Sequence, residues 1–171
     1  MAVVVVEYAD HRKTEEEQHI AKIVDEEIAS LPEKFKQKKK EYICYCLRSA
    51  NARARTYFGT THDLVHRLRQ HNGVIKGGAV ATKTTRPWRV AVVVHGFSDR
   101  SAALRFEFFC KMKHSKQAYS KALTEGANSI QRRAAVMARA KEMCPKEKPE
   151  FYYADEYVEQ CCQAAFHKEE K

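Results

Sequence analysis

The chain has 171 residues, 44% hydrophobic and 31% charged, which suits a folded domain with helical additions and excludes a wholly disordered chain. No run approaches the ~20 apolar residues of a membrane span, and the apolar start, Met1 to Val6, is broken by Glu7 and lacks the basic flank of a secretory signal. The net charge of +9 is concentrated in the centre: residues 48–113 hold 13 Lys and Arg against only Asp63, Asp99 and Glu107, the footprint of a polyanion-binding face.

In chain order, residues 14–30 predict a helix with Ile20, Ile23, Val24 and Ile28 on one face and a Thr14/Glu17 capping box. Leu31-Pro32 stops it. Five lysines in 33–40 read as a solvated linker, with a nuclear import signal as the other reading. Tyr42 to Leu47 and Thr56 to Gly59 predict a hairpin across the polar turn Arg48 to Arg55. His62 to His71 predicts a helix with Leu64, Val65 and Leu68 inward, ended by Asn72-Gly73. Gly77-Gly78 and Thr82 to Arg86 form a basic loop. Trp88 to His95, nearly all apolar, predicts a central strand covered on both faces. Ser98 is positioned to cap a buried helix from Asp99 to about His114. Helices are expected near 116–124, 128–143 and 155–167, with a break at Pro145 to Pro149. Six cysteines, three of them (Cys44, Cys46, Cys110) inside apolar runs, read as buried thiols of a reducing, intracellular compartment.

Ile43-Cys44-Tyr45 and, about a dozen residues on, Tyr57-Phe58-Gly59 resemble the two signature tripeptides of the GIY-YIG nuclease superfamily. The ordered continuation His66 to Gly73, Lys76 to Ala79, Arg86-Pro87-Trp88, His95-Gly96-Phe97 and Ala102 to Glu107 is similar to the catalytic subunits of eukaryotic structure-specific endonucleases, which cut branched DNA at flaps and junctions. Ile43 stands where the superfamily often has Gly, and Phe58 where Ile or Val is usual; both are supporting positions. The resemblance implies an α/β (α+β) fold: a small three-stranded mixed or antiparallel sheet flanked by helices over 41–115, with helical extensions over 1–40 and 116–171. It implies phosphodiester hydrolysis with one Mg²⁺ or Mn²⁺, acting on branched or flapped DNA in a nuclear or viral replication compartment. The RING-type domain by which such subunits contact a scaffold does not carry over, because Cys144, Cys161, Cys162 and His167 cannot fill eight zinc-ligand positions. A homodimer or a different scaffold contact is left open.

Within that frame Glu107 is the metal-ligand candidate, a lone acid on an apolar helix that needs a cation or donors; its other reading is a partner for Arg105 or Lys111. Arg67 and His71, four apart, project together; Arg67 suits a phosphate, and His71 a water, a phosphate or a shuttled proton. Tyr45 and Tyr57 meet near the scissile phosphate if both face one side of the hairpin, where either serves as general base with help from nearby cations. Arg69, Asn72, Lys76, Lys83, Arg86 and Arg89 are candidate DNA contacts, with Gly77-Gly78 allowing close backbone approach. His62 and His66 have zinc-ligand spacing but no further Cys/His pair. The alternative to an enzyme is a non-catalytic DNA-binding or protein-interaction module on the same fold. The near-neutral arms are expected to pack on the outer face of the sheet around Trp88 to Val94, away from the Tyr45/Arg67/Glu107 cluster.

Overall fold

Helix α1 (Glu15–Ser30) begins as its sequence dictates: the Thr14 hydroxyl accepts from the Glu17 amide while the Glu17 carboxylate accepts from the Thr14 amide. The computed structural model describes residues 14–38, 40–52, 55–112, 117, 120 and 126–168. After α1 come the single-turn α2 (Glu33–Lys36), the hairpin β1 (Ile43–Ser49) and β2 (Thr56–Thr61), and α3 (Leu64–Asn72). A 3₁₀ turn (Val80–Thr82) precedes β3 (Trp88–His95), followed by α4 (Arg100–Lys111), α5 (Ser129–Glu142), β4 (Glu150–Tyr153) and α6 (Glu156–Lys168). Of the helix expected near 116–124, only Gln117 and Ser120 are among the described residues, and both are helical. Helix α4 is capped by Asp99, whose carboxylate accepts from the Ala102 amide at 2.8 Å. Ser98 instead donates its hydroxyl to Glu147 at 2.9 Å, so the cap falls one residue later than expected.

The sheet has four strands rather than three, in the order β2-β1-β3-β4, every pair antiparallel. The fourth comes from the C-terminal extension, where Glu150 to Tyr153 pairs with Val92 to His95. Four residues behind Pro149 are too few to show alternation, but three aromatics in a row are the β-prone signal that was present. Alternation along the strands divides the interior. Cys44, Cys46, Phe58, Val92 and Val94 face α4, α5 and α6, against Phe106, Cys110, Ala134, Met137 and Cys162. Ile43, Tyr45, Leu47, Val90 and Val93 face α1, α2 and α3, against Val24, Phe35, Leu64 and Leu68. Pairing jumps from Cys46↔Val92 to Leu47↔Val90, so Ala91 is an extra residue in β3. Its carbonyl accepts from the Ala154 amide at 3.0 Å.

The arms therefore do not both lie away from the candidate cluster. Helix α1 covers the Tyr45 face and abuts α3, because Val24, with Ile20 and Ile28 beside it, completes the core that Tyr45 and Leu68 begin. Glu27, on the same helix, is buried; its Oε1 accepts from the Val90 amide at 2.9 Å and its Oε2 lies 3.5 Å from Arg89. The six cysteines are buried free thiols. Among the described residues no helix is long and apolar enough to cross a membrane.

Candidate active site

Tyr45 in β1 is paired with Gly59 in β2, and this pairing sets the geometry of the site. A Cβ on Gly59 would overlap the Tyr45 hydroxyl, so only glycine lets the phenol lie across the neighbouring strand toward α3. There the Tyr45 hydroxyl meets His71 Nε2 at 2.8 Å and accepts from Arg67 Nε at 3.2 Å. His71 Nδ1 lies 3.0 Å from the Thr82 hydroxyl, whose own proton goes to the Ala79 carbonyl at 2.7 Å. Thr82 can then only accept, so His71 carries its proton on Nδ1 and offers Nε2 as the acceptor for Tyr45. Burial, with Arg67 and Arg86 nearby, lowers the His71 pKa to about 4, so the ring is neutral at physiological pH. Burial likewise raises the Tyr45 phenol well above its ordinary value, partly opposed by the Arg67 hydrogen bond.

Tyr57 stands beside this group, its ring 4.8 Å from that of His71, and together with Tyr45 it favours the charged form of Arg67. Arg67 is braced in turn by Gln70, whose Oε1 accepts from its NH1 at 2.8 Å. Gly77 and Gly78 press against Gln70: a Cβ on Gly78, at φ +88°, would come within 2.6 Å of the Gln70 carbonyl. The close approach these glycines permit is to α3, not to nucleic acid.

Glu107 reaches the site from the other face. Strand β2 is the sheet edge, with Tyr57 and Gly59 turned toward α3 and Phe58 and Thr60 toward α4. Thr60 donates its hydroxyl to Glu107 Oε2, and Lys111, one turn on, donates to Oε1. The Lys111 ammonium is also 5.7 Å from the centre of the Tyr57 ring, so one side chain bridges the two sides of the edge strand. Of the sequence readings of Glu107, the pairing with Lys111 is the one seen directly. No group of three or more His, Cys, Asp or Glu side chains suited to a metal occurs among the described residues. The donors present are a carboxylate with 17% of its side chain exposed and a hydroxyl, hard oxygens that suit an ion retaining most of its waters and taking a phosphate oxygen. They fit a divalent ion of that kind.

The candidate DNA contacts separate. Lys76 and Lys83 are exposed. Arg69 is half-exposed and 3.3 Å from Asp25 of α1. Arg86 donates Nε to the His71 carbonyl at 2.8 Å and packs against Gly73, which makes it a brace of the α3 terminus. Arg89, at the start of β3, faces Glu27 and lies next to Arg48. Asn72 does not reach solvent: its amide donates to the Leu68 and Trp88 carbonyls and accepts from the Trp88 amide. That expectation is corrected, since a buried and saturated amide touches no DNA. Lys111 enters the sequence reading only as a partner for Glu107, although its i, i+4 spacing marks the pair. Thr82 and Gln70 carry no sequence signal of their own.

Residues 41–120 match the family description "GIY-YIG catalytic domain". This core is similar to that catalytic domain. Around it, the chain is 49% identical over 76 residues to a protein named "Structure-specific endonuclease subunit SLX1" from Malassezia globosa, covering 44% of this chain and 17% of that one. A protein of the same name from Schizosaccharomyces japonicus is 57% identical over 68 residues, covering 39% and 25%. One from Aspergillus fumigatus is 42% identical over 99 residues, covering 54% and 23%. The chain therefore spans about a quarter or less of the length of these relatives. The family match spans Tyr45, Tyr57, Arg67, His71 and Glu107.

Proposed function

We propose that this chain is a metal-dependent endonuclease that hydrolyses phosphodiester bonds in branched or flapped DNA. The observation that carries this reading is the convergence of two phenols, a guanidinium and a neutral imidazole on one face of β1 and β2, with a carboxylate at the edge of the same sheet. Arg67 retains N–H groups beyond those given to Tyr45 and Gln70, and these hold the scissile phosphate and the charge that grows on it. Tyr57, half-buried at the rim, orients the attacking water. As that water's oxygen forms the new bond to phosphorus, the water's proton passes to the Tyr45 oxygen, and the sugar oxygen whose bond to phosphorus breaks takes its proton from bulk water. The Tyr45 proton passes to His71 Nε2, the acceptor already aligned with it. Thr82 fixes the tautomer this transfer needs. Glu107, held by Thr60, would bind Mg²⁺ or Mn²⁺, which supplies Lewis-acid stabilisation of phosphate charge when present. Lys76 and Lys83 track the DNA backbone, and Arg69 does so where it outlies its Asp25 pair.

A purely binding module has no need of a buried Tyr–His–Thr line, and the relatives' name, endonuclease subunit, points the same way. That name also favours a partner subunit, either a scaffold or a second copy. The reading places the protein in the nucleus, with the lysine-rich 33–40 segment as import signal.

Labelled flap, fork, junction and linear duplex DNA, incubated with the chain and Mg²⁺ or Mn²⁺, test the proposal. Expected are incision near branch points, little cutting of duplex, and a loss of about 10²–10³-fold for Arg67→Ala, the scale of losing a preorganised donor at a developing charge. Binding without incision of any of the four, with either ion, would refute it.

A further inference from the structure

Lys111 occupies a position that neither helix packing nor the proposed hydrolysis requires. Its ammonium sits on Glu107 Oε1 while Thr60 holds Oε2, so both oxygens of the candidate ligand are engaged, one by a neutral hydroxyl and one by a cation. Glu107 is largely buried, whereas half of the Lys111 side chain is exposed, so the lysine is the member free to swing. The ammonium is 5.7 Å from the Tyr57 ring, on the side of the edge strand that carries Arg67.

We propose that Lys111 is a resident counter-cation of the Glu107 site, competing with the divalent ion for the carboxylate until a DNA phosphate draws the ammonium across the edge strand. This rests on reading Glu107 as the metal ligand. Phosphate vacates Oε1 for the metal, and a metal on Glu107 repels the ammonium toward phosphate, so each ligand assists the other by the same factor. The DNA-free protein binds metal weakly, and hydrolytic competence is assembled on the substrate.

The test is Mn²⁺ binding to the full chain without DNA, followed by the electron paramagnetic resonance signal of free Mn²⁺. Lys111→Met removes a unit charge a few ångströms from the ion and should tighten binding about tenfold. Lys111→Arg, which keeps the charge, should bind as the wild type does. Combining Lys111→Met with Glu107→Gln should abolish the gain. Lys111→Gln serves where the Met variant fails to melt cooperatively. Unchanged or weaker binding in Lys111→Met and Lys111→Gln, with Glu107→Gln weaker than wild type, would overturn the competition and leave Glu107 as the ligand. Binding that ignores Glu107→Gln and Lys111→Met alike would overturn it by removing the metal from this site altogether.

Discussion

His71 shows how a single side chain can be placed by its sequence while the contacts that set its protonation stay out of view. Its spacing from Arg67 puts it on the right face, yet nothing in the sequence announces Thr82, which fixes the tautomer, or the depth of burial that keeps the ring neutral. Gly59 is the opposite case: the tripeptide marks it, and the structure supplies the reason, a phenol lying where its Cβ would be. The lowered pKa of His71 has a consequence for stability. In the unfolded chain the imidazole titrates near ~6.5, and in the fold near about 4, so between these values the unfolded state binds the extra proton. The neutral ring's contribution is complete above pH 6.5 and is lost as pH falls toward 4, with a slope of up to about 1.4 kcal/mol per pH unit. Melting temperature measured from pH 7 to pH 4.5 should therefore fall in the wild type and fall less steeply in His71→Gln. Parallel curves would show that the ring is not held neutral by the fold.

At the scale of elements, periodicity sufficed where a helix or strand shows one polar and one apolar side. Helices α1, α3, α4 and α5 and strands β1 to β3 appear near their expected bounds, because their apolar positions recur at 3.6 or 2 residues and their caps are standard. What periodicity lacks is direction: it says that α1 has a face to bury, not which side of the sheet receives it. The deciding residue is Glu27, polar within that face. Its carboxylate binds the Val90 amide and faces Arg89, seating α1 over β3 on the Tyr45 side. Burial raises its pKa above the usual carboxylate range, against the opposing pull of the Val90 amide and Arg89. Glu27→Ala leaves a buried amide without its acceptor and should destabilise the fold by about 1–3 kcal/mol. Chemical denaturation would read the loss as a lower midpoint at constant slope. An unchanged midpoint would mean that α1 is seated by Val24 and its neighbours alone.

For the whole molecule, likeness to other proteins and physical closure have different limits. The family match ends at residue 120, but the sheet face carrying α4 is closed by residues beyond it. Val92, Val94, Phe106 and Cys110 are covered by Ala134, Met137, Val158 and Cys162, and β4 pairs with the side of β3 that β1 leaves open. Arg48 of β1 is also paired with Asp155 at the head of α6. Leaving such a face in water forfeits on the order of 1.5–3 kcal/mol for each large apolar side chain, against a total stability of ~5–15 kcal/mol for a domain. A fragment of residues 41–120 should therefore lack a cooperative melt and expose apolar surface to a hydrophobic dye, whereas residues 14–171 should melt as one unit. Because Glu107 rides on α4, the fragment should also lose Mn²⁺ binding. If it instead melts cooperatively within a few degrees of the full chain, the C-terminal helices are accessories to a self-sufficient core, and Glu107 is positioned by the sheet without them.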